Sequence, residues 1–171
     1  IKQSAVWAVM FSLVVIFMYI LIRFRRMSYS IGAVAAVYHD VLIVLALFSI
    51  LYGRLPFSLE IDQAFIAAIL TVIGYSLNDT VVVFDRVREY FGIKSGSREQ
   101  IVDAALNSTL SRTINTSLTT FFVLLIIFLF GGEVIRGFMF ALMIGVVVGT
   151  YSSLFIATPI MVDTLKNDSE E

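Results

Sequence analysis

The chain has 171 residues, 59% of them hydrophobic, and a mean hydropathy of +0.94; soluble domains sit nearer half apolar, in short stretches, so a water-soluble globular core is excluded. The net charge of −1 gives no basic footprint for nucleic acid, and no nucleic-acid partner is expected. Cysteine is absent, which removes disulfides, thiol chemistry and cysteine metal sites, and the single histidine cannot build a metal centre alone.

About 20 apolar residues cross a hydrocarbon core ~30 Å thick, and in lipid such segments must be helical to satisfy their backbone groups. Five runs qualify, at 6–22, 31–51, 61–84, 114–130 and 134–161. The first ends at Arg23-Phe24-Arg25-Arg26 and the second at Gly53-Arg54-Leu55-Pro56. Gly131-Gly132-Glu133 separates the last two, and residues 90–113 form the one long connection. Within it, Ser97-Arg98-Glu99-Gln100 has the form of a capping box. Ile101, Ala104, Ala105, Ser108 and Arg112 then follow at helical spacing. The spacing predicts either a short cytoplasmic interfacial helix lying under the bundle or a plain amphipathic connector into span four. Residues 166–171 read as a polar terminus. The expected fold is an all-α membrane protein, a bundle of five transmembrane helices plus that short helix, in a single transmembrane domain over residues 1–171.

Nine of the twelve Lys and Arg residues lie on one side: Arg23, Arg25, Arg26, Arg86, Arg88, Lys94, Arg98, Arg112 and Lys166. Lys2, Arg54 and Arg136 lie on the other. The positive-inside rule puts the first group in the cytoplasm, so the chain enters from outside and ends inside. Five spans with an outside start imply a further span upstream, with an external domain, in a longer protein.

In chain order, the first residues with chemistry to offer are His39-Asp40 in span two. Histidine titrates near neutrality, so the pair is either part of a proton relay or a packed hydrogen-bonded pair that fixes helix contacts. Asp79 breaks span three beside Asn78. A charge at the bilayer centre costs about 2.5–3.5 kcal/mol and calls for a partner, a hydrated cavity or a proton. Residues 80–84 follow it, about 7–8 Å of helix, too deep for so short a side chain to reach the interface. Functional titration of Asp79 is the expectation. Asp85, Arg86, Arg88 and Glu89 mark the interface, with Arg86 in register for a weak pairing to Asp79. Arg112, Thr113, Asn115, Thr116, Ser117, Thr119 and Thr120 make the start of span four polar, suited either to a hydrated path or to helix–helix hydrogen bonds. Arg112 is a candidate counter-charge for Asp79. Gly145, Gly149 and Ser153 form a small-residue face for close helix packing.

Two hydrolytic readings fail on sequence. Asp40 and Asp79 lie on different helices, as two carboxylates sharing a proton would. The Gly-x-Gly-Asp motif of intramembrane aspartyl proteases is replaced here by Ser76-Leu77-Asn78-Asp79, however. Gly74-Tyr75-Ser76-Leu77-Asn78 lacks the closing glycine of a nucleophile elbow.

Span three, from Gly74-Tyr75-Ser76-Leu77-Asn78-Asp79-Thr80-Val81-Val82-Val83 through Phe84-Asp85-Arg86-Val87-Arg88-Glu89, resembles the signature of the SecF family, also found in the second half of fused SecDF. Ala36-Val37-Tyr38-His39-Asp40, Thr109-Leu110-Ser111-Arg112-Thr113 and Phe130-Gly131-Gly132 resemble further segments of that family, which belongs to the resistance-nodulation-division superfamily. The resemblance implies spans two to six of a six-span unit in the bacterial inner membrane, lacking the first span and the external domain. It implies a non-enzymatic, proton-driven role in late protein export, with protons as the coupling ion and no cofactor. The family's essential aspartate falls on Asp79 and its essential arginine on Arg112, while Asn78, His39, Asp40, Thr113 and Thr116 would flank the proton path. The implied partners are SecD or a SecD-like half, a SecYEG-type translocon, the translocating preprotein and the lipid bilayer. A small-molecule/proton antiporter of the same superfamily would use the same carboxylate.

Overall fold

Long apolar runs broken by arginines, Gly-Pro or paired glycines leave the backbone nothing to do but close its hydrogen bonds within each run. In the computed structural model, which describes residues 2–167, they form α1 (Lys2–Phe24), α2 (Met27–Leu51), α3 (Gln63–Ile93), α4 (Arg98–Phe130) and α5 (Glu133–Ser152), followed by a π turn (Ser153–Ala157) and α6 (Thr158–Asn167). The described residues contain no strand. Five helical stretches are long and apolar enough to cross a membrane, the fifth running from Glu133 to Leu165. Of the expected polar tail, residues 168–171 lie outside the described residues.

The α1–α2 corner is two residues long. Arg25 takes a positive φ of 57° and its N–H bonds the Leu21 carbonyl at 2.8 Å. This left-handed turn costs about 1–2 kcal/mol in a residue with a Cβ. It folds Phe24 flat on Tyr29, with ring centroids 4.9 Å apart, and both rings meet Phe84 of α3 edge-on.

Helices α3 and α4 run further than their apolar segments. Asp62 caps α3 by accepting from the Phe65 N–H at 2.8 Å, and the helix continues nine residues beyond Phe84. The expected connection over 90–113 shrinks to residues 94–97. Ser97 and Gln100 form the reciprocal capping box, with bonds of 3.3 and 3.2 Å. From Arg98 to Phe130 no glycine or proline interrupts the chain, so the helix is continuous. The short interfacial helix is therefore not a separate element but the first turns of α4, with Ile101, Val102 and Ala105 buried against the bundle.

Helix α3 is central, in contact with α2, α4 and α5, while α1 packs mainly on α2. Val6, Trp7, Phe11 and Ile22 of α1 are exposed, as a lipid-facing surface requires. Glycine permits a close approach between α3 and α5. Gly145 lies against Val72, and a Cβ on Gly149 would sit 3.0 Å from Ser76 Cβ. Ser153, the next position in that spacing, is buried where the π turn begins.

Candidate functional site

The small residues of α2 (Gly32, Ala33, Ala36) draw α3 and α5/α6 close, and Asp40 projects from the same buried stripe. It is the fourteenth of 25 residues in α2, near mid-helix. Its Oδ2 accepts from Ser76 Oγ of α3 at 2.5 Å and from Ser152 Oγ of α5 at 2.8 Å. Oδ1 lies 3.1 Å from Nδ1 of His39. The Asp40 side chain is 1% exposed and His39 32%, so the imidazole stands between the carboxyl and the outside of the bundle. Asp40 thus ties three helices at one point.

Asp79 is the seventeenth of 31 residues in α3, again near mid-helix, because the charged stretch 85–93 extends the helix beyond it. It is 3% exposed. Its contacts differ in kind from those of Asp40. Ser117 Oγ of α4 and Thr150 Oγ1 of α5 both approach Oδ2, each at 3.4 Å. Hydroxyl-to-oxygen bonds are normally 2.5–3.0 Å, so Asp79 is loosely held. The two hydroxyls are closer to each other, at 2.5 Å, and Thr150 also lies 2.7 Å from the Val146 carbonyl. Each hydroxyl carries one proton, so Thr150 divides a single donor among three acceptors. Asp79 therefore sits on the α3–α4–α5 seam beside a hydroxyl pair that can satisfy itself without it.

The remaining sequence candidates fall in two places. Arg112 is exposed on α4, five residues before Ser117, and makes no ion pair with Asp79. Its charge acts on the carboxylate only over a longer distance. Arg86 bonds Glu89 at 2.8 Å, so it too is engaged away from Asp79. Asn78 and Thr116 are exposed, and Thr116 donates to the Arg112 carbonyl at 2.9 Å. Thr113 is buried, with no hydrogen-bond partner for its hydroxyl among the described residues. Thr119 and Thr120 also return their hydroxyls to their own helix. Of the two roles open to the polar stretch of α4, helix–helix bonding thus falls to Ser117 and to a long Tyr75–Thr120 contact of 3.4 Å. Sequence reasoning missed Thr150 and Ser152. Their signal was the polar run Thr150-Tyr151-Ser152-Ser153 inside an otherwise apolar span.

Residues 1–167 match the family described as protein export membrane protein SecD/SecF, C-terminal. The chain belongs to this family. Its similarity to SecF-type relatives is high: 60% identity over 163 residues to the protein translocase subunit SecF of Rhodothermus marinus, covering 95% of this chain and 53% of that protein. The SecF subunit of Petrotoga mobilis is 46% identical over 167 residues, covering 97% and 53%. The crystal structure of SecDF in its super-membrane-facing form has a TM-score of 0.86 at 38% identity, over 99% of this chain and 22% of that one. The chain spans about half the length of these SecF relatives. Like the SecD/SecF membrane region it matches, it is a multi-pass protein of the bacterial inner membrane.

Proposed function

We propose that this chain is the membrane region of an auxiliary subunit of the Sec protein-export machinery, and that proton binding and release at Asp79 drive its movement. The reading takes residues 1–171 as one transmembrane domain, entered from outside and ending in the cytoplasm. It is a transport subunit, with no covalent catalysis assigned. Its partners are a SecD-like half, a SecYEG-type translocon and the preprotein, reached through parts of the longer protein.

The observation that supports Asp79 most is the contrast between the two mid-helix carboxyls. Asp40 is clamped by short bonds from two other helices. Asp79 has only 3.4 Å contacts, from hydroxyls on α4 and α5 that also bond each other. A group that must gain and lose a proton repeatedly needs contacts that both charge states tolerate. Serine and threonine hydroxyls supply them, since each can donate to a carboxylate or accept from a carboxylic acid. A change of charge at Asp79 is felt by both neighbouring helices, because its two partners sit on different ones. Arg112, on the exposed side of α4, is the counter-charge whose attraction weakens on protonation. Each proton crossing the membrane field yields about 2.3 kcal/mol per 100 mV, enough over several crossings to move an attached domain.

The test is proton flux across vesicles containing the full-length parent complex, wild type against Asp79→Asn. Loss of flux with normal expression and assembly is expected. Unchanged flux would make Asp79 a packing residue and the chain a passive structural subunit.

A further inference from the structure

At the arginine-rich end of the bundle the α1–α2 corner, the end of α3 and the start of α4 enclose a cavity of about 380 Å³, with Leu165 of α6 on its rim. Its walls carry Arg26, Arg88 and Arg98, over apolar surface from Phe24, Tyr29 and Phe91. Among the described residues no carboxylate lines it. The nearest acids on α3 are committed elsewhere, Asp85 to Arg23 at 2.8 Å and Glu89 to Arg86 at 2.8 Å.

The arginines are held in different ways. Arg98 donates to the Leu165 carbonyl at 3.1 Å, which pins α4 to α6 and fixes one wall. Arg88 gives one N–H to the Arg23 carbonyl at a long 3.4 Å, and its other four donors have no partner among the described residues. Arg26 makes no hydrogen bond or ion pair with any described residue. Both Arg26 and Arg88 lie within electrostatic reach of the Tyr29 hydroxyl, so all three groups converge. Helix α2 begins beside them at Met27 with no side-chain cap and no acid in its first turn, which adds the positive end of its dipole. Arg26 and Arg88, two like charges at one small cavity, repel each other until an anion joins them. Guanidinium forks match phosphate oxygens two at a time, a geometry that lysine does not offer.

We propose that this cavity binds the phosphodiester headgroup of an anionic phospholipid. The cavity lies at the ends of membrane-spanning helices, on the side the positive-inside rule assigns to the cytoplasm, where lipid phosphates are most concentrated. The aromatic floor suits the glycerol end of a lipid and offers nothing to a free, fully hydrated phosphate ion. Basic pockets between helices at that depth are a recurrent way for membrane proteins to hold anionic lipids.

The experiment is native mass spectrometry of the full-length protein titrated with phosphatidylglycerol or phosphatidylcholine. One tightly retained phosphatidylglycerol is expected, with no equivalent phosphatidylcholine. Neutralising Arg26 and Arg88 together (Arg26→Gln, Arg88→Gln) should weaken retention about 30-fold, from about 1 kcal/mol per basic residue and 1.4 kcal/mol per tenfold. Arg88→Gln alone should weaken it about fivefold, which covers the case of a double variant that fails to fold. Lys94→Gln, outside the cavity, should leave retention unchanged. An equal loss with Lys94→Gln would reduce the effect to general surface charge and overturn the proposal. So would displacement of the lipid by millimolar inorganic phosphate, which would mark a free-anion site. A third outcome would also overturn it: phosphatidylglycerol binding only after Asp168, Glu170 and Glu171 are changed to amides, which would assign the cavity to the chain's own acidic residues.

Discussion

Gly145→Ala isolates one close contact between α3 and α5. A Cβ at this position would lie 2.7 Å from Val72 Cγ1 and 2.9 Å from Val72 Cβ, and nearer still to Val72 Cγ2, where ordinary contacts begin at 3.4 Å. Val72 is 1% exposed and β-branched, so rotation of its side chain cannot remove the clash with its own Cβ. Helices α3 and α5 must therefore separate by about half an ångström or distort. Overpacking of this kind costs about 1–3 kcal/mol. Equilibrium unfolding of the full-length protein in mixed micelles, followed by circular dichroism, should register that loss. Val72→Ala removes both γ carbons and leaves only the Cβ contact, so the double variant should recover part of the loss. A coupling of at least about 0.5 kcal/mol between the two changes is expected of residues in contact. A Gly145→Ala protein within about 0.5 kcal/mol of wild type, the range of a neutral surface change, would refute the argument that this glycine sets the helix spacing.

The two carboxyls should separate in the same assay. Asp40→Ala removes interhelical bonds worth about 0.6–1.7 kcal/mol each and strands the buried Ser76 hydroxyl, for a loss of about 1–3 kcal/mol; Asp40→Asn keeps an acceptor oxygen and should lose less than half of that. Asp79→Ala gives up only long contacts beside a self-satisfied hydroxyl pair, and should cost under about 1 kcal/mol while abolishing proton flux; equal stability losses at the two positions would contradict the difference drawn between them. Ser97→Ala opens the capping box of α4 at a cost of about 1 kcal/mol, visible as faster hydrogen exchange of the Gln100 amide with little change in the spans.

Most of the helical architecture was legible because lipid allows so few alternatives. Apolar length fixed the number of spans, and Ser97-Arg98-Glu99-Gln100 announced the start of α4 by its chemistry alone. The boundaries moved where the sequence changes polarity without changing backbone preference. Residues 85–93 are charged and amphipathic, but they contain no proline and Arg86, Arg88 and Glu89 favour helix, so α3 continues through them. Residues 98–112 join span four for the same reason. Asp40 and Asp79 were conspicuous as ionisable groups at depth. Their partners were not, because a buried serine or threonine reads in sequence like any small residue. Only the packing of α5 against α3 and α4 reveals that Thr150 meets Asp79 while Ser152, two positions on, meets Asp40.

The π turn at Ser153–Ala157 changes how the last helix must be understood. One surplus residue in a helical ladder would advance every following side chain by about 100° around the axis if the backbone did not widen to take it up. The Gly145–Gly149–Ser153 row instead carries on at four-residue spacing through Ala157, Met161 and Leu165, all buried, with Thr158 buried beside them. Thr158 fastens the turn by donating to the Ser153 carbonyl five residues back, at 2.9 Å. The half of the span that meets Asp40 and Asp79 and the half that docks on the start of α2 are thus joined by one buried row running through the widened turn.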